Sequence, residues 1–209
     1  LRDNPGHRID SLRRVLCGGA AVPASLVAAY RDEFAVPLVQ AWGMTETSPI
    51  VTIADVPDNA TTTDQQRKRN STGRFLFGAK GRVVDEAGTV LPRDGRSVGE
   101  LQVRGPWITG SYHGGIDAES FSADPDGQLW LHTGDIGHIS ADGYLTLTDR
   151  AKDVIKSGGE WISSVHLETT LVSHPDVVEA AVIGVPDTRW DERPLALVTL
   201  RPGSAARAE

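Results

Sequence analysis

The stretch Arg14-Val15-Leu16-Cys17-Gly18-Gly19-Ala20-Ala21-Val22-Pro23, followed by Leu26, Tyr30 and Phe34 and then by Pro37-Leu38-Val39-Gln40-Ala41-Trp42, decides the fold. Arg14 to Cys17 reads as a short buried strand, stopped by two glycines. After Pro23 the apolar residues recur every four positions, the stripe of an amphipathic helix. Pro37 to Trp42 then reads as a second strand. Strand, glycine turn, helix and strand form a βαβ unit, whose crossover implies parallel strands in an α/β layer. In such layers ligands bind beyond the carboxyl ends of the strands. Here those ends are Gly18-Gly19-Ala20 and Gly43-Met44-Thr45-Glu46.

Further along, the pattern changes. Asp58 to Ser71 is polar and is expected to be a surface loop. From Gly81 onward short strands alternate with turns: Asp85-Glu86-Ala87-Gly88 is a turn, and Glu100 to Arg104 alternates apolar and polar residues. Ala141-Asp142-Gly143 joins Gly137–Ser140 to Tyr144–Thr148 as a hairpin. This middle third is expected to be a small antiparallel β subdomain. Beyond Asp149-Arg150 a glycine turn at Ser157-Gly158-Gly159 leads to a helix from Ser164 to Ser173, capped by Ser164. Val177 to Val185 and Leu195 to Leu200 are expected strands. We place a domain boundary near Asp149–Lys152, and the roughly 57 residues after it would make only a marginal core.

Composition narrows the function classes. A formal charge of −7 argues against non-specific nucleic-acid binding, which needs a basic face. One small anionic nucleotide remains compatible with it. Cys17 is the only cysteine of the 209 residues, so an internal disulfide or a cysteine zinc cage is excluded. We read Cys17 as a small buried residue and a reducing cytoplasm as the compartment. No apolar run approaches the roughly 20 residues that span a bilayer. Leu1-Arg2-Asp3-Asn4-Pro5 has neither an initiator Met nor a signal-peptide stretch, so we read the chain as a piece of a longer protein.

Residue chemistry leaves two readings of Trp42 to Glu46. Glycine after a strand admits close backbone approach, and a hydroxyl and a carboxylate beyond it can hold a phosphate oxygen and a hard cation. A strand-end turn with a core Trp and a solvated Glu has the same letters. Asp135 and Arg150 are equally open between ligand contacts and surface charges. His132 and His138 lack metal-ligand spacing and are expected in the β subdomain.

Four stretches, in order, remove much of this ambiguity. They are Gly18-Gly19-Ala20-Ala21-Val22-Pro23, Gln40-Ala41-Trp42-Gly43-Met44-Thr45-Glu46-Thr47-Ser48-Pro49, Thr133-Gly134-Asp135, and Asp149-Arg150-Ala151-Lys152-Asp153-Val154-Ile155-Lys156-Ser157-Gly158-Gly159-Glu160. Together they resemble the adenylate-forming superfamily, within it most the medium- and long-chain fatty-acid–CoA ligases. The resemblance implies that residues 1–150 are the C-terminal part of a large AMP-binding domain, and that 151–209 begin a small α+β domain. It implies a nucleotide site at Gly18, Gly19, Ala20, Gln40, Trp42, Gly43, Met44, Thr45, Asp135 and Arg150. Trp42, where Tyr is commoner, would stack on adenine, and Asp135 would accept from the ribose hydroxyls. Thr45, Glu46 and Arg150 would act on the phosphate, with Glu46 as the Mg2+ ligand. Lys152 would be a hinge, and Ser157, Gly158, Gly159 and Glu160 the loop lining the CoA passage.

The implied reaction joins a fatty or other carboxylic acid to CoA through an acyl-adenylate, with ATP as co-substrate. The resemblance also implies a phosphate loop before Leu1 and a catalytic Lys after Glu209, so residues 1–209 alone are expected not to turn over. A ligase that loads a carrier protein, or a non-catalytic nucleotide-binding fragment, stays open.

Overall fold

The computed structural model describes residues 11–19, 22–56, 62–116 and 118–204. Strand β1 (Val15–Cys17) lies parallel to β2 (Leu38–Trp42), with Val15 opposite Leu38 and Cys17 opposite Gln40. Helix α1 (Ala24–Phe34) makes the crossover. The Pro23 carbonyl accepts the first helical amides, those of Leu26 and Val27, at 2.9 and 3.2 Å. Ala35, at φ 53°, ends the helix in the left-handed cap geometry and donates to Arg31 O. The βαβ unit is therefore present, but its burial differs from expectation. Val27 is the buried residue of α1, and Leu26 is 41% exposed. Leu16 is 53% exposed and Cys17 half-buried, because among the described residues β1 has β2 on one side only.

Strands β3 (Thr52–Ile53) and β4 (Gly73–Phe75) carry the sheet onward from β2. Next come β5 (Lys80–Val84), β6 (Gly99–Arg104), β7 (Phe121–Ala123), β8 (Leu129–Ile139) and β9 (Tyr144–Arg150). Among the described residues nine strands form one sheet in the order β1-β2-β3-β4-β9-β8-β6-β5, with β7 also on β8. The parallel layer and the antiparallel strands are thus joined edge to edge. Val51, Val83, Leu101, Val103, Phe121, Leu131, Ile139 and Leu145 form its buried core, and Trp42 and Met44 pack against it.

Thr62–Arg69, expected in a loop, is helix α2. It has no buried residue, so no apolar stripe betrays it. Asp64 pairs with Arg67 and Lys68 one turn on, and Arg67 donates to Asp142 of the β8–β9 turn at 2.6 Å.

After β9 the chain enters a second sheet of order β11-β10-β13-β12. Its strands are β10 (Ile155–Ser157), β11 (Glu160–Ile162), β12 (Val177–Asp187) and β13 (Asp191–Leu200). Helix α3 (Ser164–Val172) packs on β12. Its cap is Ser163, one residue earlier than expected, whose hydroxyl accepts the His166 amide at 3.1 Å. Ser164 is instead buried against Asp149, whose Oδ2 accepts from its amide and hydroxyl at 2.6 and 2.8 Å. No helix among the described residues is long and apolar enough to cross a membrane.

Candidate nucleotide site

The site is built where β2 ends. Gly43 follows Trp42, and a Cβ there would lie 1.7 Å from the Pro49 carbonyl oxygen. Only glycine lets the chain fold back so closely. A short 3-10 helix, Thr45–Thr47, makes that fold-back, and the buried Thr47 hydroxyl ties it to Met44 and Pro49. Thr45 is thereby exposed at the tip. Glu46 is half-buried, its Oε1 accepting from the Tyr112 hydroxyl at 2.8 Å and its carbonyl from the Thr109 amide at 2.8 Å.

Asp135 sits in β8 opposite Arg150 of β9. Its amide donates to the Thr133 hydroxyl at 3.1 Å, and that hydroxyl donates to Leu101 O at 2.8 Å. The Trp42 indole N–H donates to Asp135 Oδ2 at 2.8 Å, and Arg150 Nε lies 3.5 Å from Oδ1. In strand order β2 and β8 are four steps apart, roughly 19 Å in a flat sheet. A direct hydrogen bond between them requires the sheet to curl, and the curl brings Trp42, Asp135 and Arg150 into one corner. Burial raises the Asp135 carboxyl above its ordinary value, while the Trp42 donor and the Arg150 charge pull it back down. A carboxylate so buried, with one cation and one neutral donor, is suited to accept further hydroxyl hydrogens.

The other expected residues fall around this corner or elsewhere. Gly18 lies against β2, where a Cβ would come 2.4 Å from Ala41 O, so its lack of a side chain serves strand packing. Gly19 takes φ 86°, and Ala20 lies outside the described residues. The Gln40 side chain donates to Arg69 O at 3.0 Å, tying β2 to the end of α2. Lys152 is exposed in the turn after β9, whose residues Asp153 and Val154 donate back to Arg150 O.

Ser157 pairs with Glu160, making Gly158 and Gly159 the two-residue turn of the β10–β11 hairpin. Both have positive φ, 62° and 84°, as a primed hairpin turn requires. The Gly158 amide donates to Trp190 O, and a Cβ there would meet the Trp190 ring at 2.9 Å.

Sequence reasoning missed Tyr112 and Thr109, which hold Glu46, and Trp190, which backs the glycine loop. None belongs to a local pattern that singles it out. Among the described residues no three His, Cys, Asp or Glu side chains gather as a metal cluster. The donor set at Thr45–Glu46, one hydroxyl and one carboxylate, suits a hard cation that takes its remaining ligands from phosphate and water.

Known proteins resemble this chain in sequence and in fold. Residues 2–113 match the family model "AMP-binding enzyme", and residues 166–209 match "AMP-binding enzyme C-terminal domain". The long-chain-fatty-acid–CoA ligase of Thermus thermophilus is 44% identical over 202 residues, which are 95% of this chain and 37% of that protein. The 3-methylmercaptopropionyl-CoA ligase of Ruegeria lacuscaerulensis is 45% identical over 95% of this chain and 36% of its own length. The chain therefore spans little more than a third of these curated relatives. The structure of o-succinylbenzoate CoA synthetase from Bacillus subtilis, in complex with its acyl-adenylate intermediate, superposes with TM-score 0.76 at 35% identity. It covers 94% of this chain and 38% of that one.

Proposed function

The chain belongs to the AMP-binding enzyme family, and on that premise we propose that it carries the nucleotide-holding part of a ligase joining a carboxylic acid to coenzyme A. The acid is first activated by ATP as acyl-adenylate, with pyrophosphate leaving, and the CoA thiol then displaces AMP. A fatty acid is the proposed substrate, by likeness to the Thermus thermophilus relative. The observation that carries the reading is the corner of Trp42, Asp135 and Arg150, brought together from β2, β8 and β9.

In this reading the Trp42 face receives adenine and the Asp135 carboxylate accepts from the ribose hydroxyls. Arg150, 64% exposed, extends its guanidinium toward ribose and phosphate. Thr45 at the exposed tip donates to the α-phosphate. Glu46, steadied by Tyr112 and Thr109, would hold Mg2+, which when bound offsets the negative charge that develops on the phosphate. Residues 1–150 and 151–209 would move against each other about Lys152, presenting the Ser157–Glu160 loop to the CoA passage.

The test is isothermal titration of the 209-residue chain with an acyl-sulfamoyl-adenosine, a stable mimic of the acyl-adenylate. Saturable one-to-one binding, competed by AMP, is expected. A folded chain that gives no binding heat with either compound overturns the reading.

A further inference from the structure

The hydrogen bond between Trp42 and Asp135 has a geometric consequence beyond the stacking role of the ring. An indole N–H can only donate, and it donates in the plane of the ring. Asp135 therefore lies at the edge of Trp42 at 2.8 Å, and this bond occupies neither ring face. The plane on which a base can stack and the carboxylate that accepts from a ribose are tied into one unit. A base and its ribose are joined by one glycosidic bond, which limits their separation, so a fixed spacing between Trp42 and Asp135 suits such a ligand. Asp135 is held from its other sides too: Arg150 Nε stands 3.5 Å from Oδ1, and the backbone amide is anchored on Thr133. The Asp135 side chain is 12% exposed, so water contributes little to its orientation.

We propose that Trp42 is a positioning residue, whose indole N–H fixes the Asp135 carboxylate for the ribose hydroxyls, separately from any stacking by its ring. The proposal rests on the nucleotide reading above and deepens it. It makes a nitrogen-bearing ring, and not aromaticity alone, the requirement at position 42. Phenylalanine would offer a face without a donor, and tyrosine would carry its donor at the far end of the ring.

Two replacements remove the donor. Trp42→Phe keeps an aromatic face. Substitution of Trp42 by 3-benzothienylalanine exchanges the indole N–H for sulfur in a ring of the same shape, which protects the fold. Each is titrated with AMP and with 2′,3′-dideoxy-AMP, which has no ribose hydroxyls. The midpoint of the Asp135 carboxyl is followed by carbon NMR in the free chain.

Loss of one donor to a charged group predicts about a tenfold weakening for AMP. Dideoxy-AMP should change by less than about twofold, well inside the effect of one hydrogen bond. The Asp135 midpoint should rise, because one of the two groups opposing its desolvation is gone and Arg150 alone remains. Equal weakening of both nucleotides by the benzothienyl replacement overturns the proposal, since Trp42 would then act through its ring alone. An unchanged Asp135 midpoint overturns it as well. If the unmodified chain binds neither nucleotide, the nucleotide reading falls and takes the ribose half of the proposal with it. The NMR midpoint still decides whether the indole holds the carboxylate.

Discussion

The two sheets of this chain bury their residues very differently. In the nine-stranded sheet Leu101, Val103 and Leu145 are fully inaccessible, and every position of β8 is buried or half-buried. In the four-stranded sheet β13 is exposed almost throughout, with Leu195, Leu197 and Val198 at 48, 57 and 40%. Both sheets are antiparallel over most of their pairings, so strand type does not explain the contrast. Packing does: the large sheet curls on itself around a core, whereas among the described residues nothing covers the outer side of β13. Of the residues assigned to the nucleotide, Gln40 and Asp135 are buried in the packed region and Trp42 and Met44 pack on its core, while Thr45 and Arg150 reach its surface. Those assigned to the hinge and the CoA passage lie at or beyond its edge. Close packing thus gives way to greater exposure along the chain beyond Arg150.

The largest expected effect sharpens that contrast directly. Leu101→Ala should cost about 2–5 kcal/mol, the range for truncating a fully buried leucine. Leu197→Ala, at an exposed position, should stay within about 0.5 kcal/mol. Chemical denaturation of the two variants measures the difference; equal losses would mean that the small sheet is packed as tightly as the large one.

A smaller effect concerns the joint between the regions. The buried Asp149 accepts from the Ser164 amide, the Ser164 hydroxyl and the Arg150 amide, at 2.6, 2.8 and 2.8 Å. Ser163 adds a bond to Thr148 O at 2.7 Å. Asp149→Ala should destabilise by about 1.5–3 kcal/mol, the scale of one hydrogen bond to a charged group. Trypsin should also cut faster after Arg150 and Lys152. Unchanged cleavage would show that the joint is held by something other than Asp149.

How far these regions could be foreseen differs too. The βαβ unit was legible because Gly18-Gly19, Pro23 and the i,i+4 spacing of Leu26, Tyr30 and Phe34 are local signals. The β8–β9 hairpin was legible for the same reason, in Ala141-Asp142-Gly143. Helix α2 was not, since Thr62–Arg69 holds together through Asp64, Arg67 and Lys68 and through a partner 75 residues away, Asp142. The cap of α3 was misplaced by one residue because Ser163 and Ser164 are adjacent, and only the position of Asp149 distinguishes them. At the site the motif letters suggested Trp42, Asp135 and Arg150 separately. Their contact depends on the curl of the sheet, and the bond joining Trp42 to Asp135 spans 93 positions. No periodicity reports such a pairing.

The smallest effect is one of pH. The Asp142 carboxyl is held down to about 2: burial works to raise it, but the Ser140 hydroxyl and the Arg67 guanidinium outweigh that. A depressed carboxyl adds stability above its unfolded value of 3.8 and loses it as pH falls toward about 2. Its side chain is 41% exposed, so solvent screening limits the contribution to under about 1 kcal/mol. Asp142→Asn should flatten the acid loss of stability across that window. Asp135 has the opposite sign. Its carboxyl is raised, so any stability from its neutral form is present below 3.8 and is lost as pH rises through the folded value. Nucleotide binding, which needs the ionised acceptor, should strengthen over that same rise.

The central claim is that the corner built from β2, β8 and β9 holds the nucleotide, and AMP affinity measured by isothermal titration tests it most directly. The unmodified chain should bind AMP, and Asp135→Ala should bind it at least about tenfold more weakly, as expected for losing a charged acceptor. Circular dichroism of the variant should match that of the unmodified chain. An Asp135→Ala chain that binds AMP as tightly as the unmodified one would contradict the account.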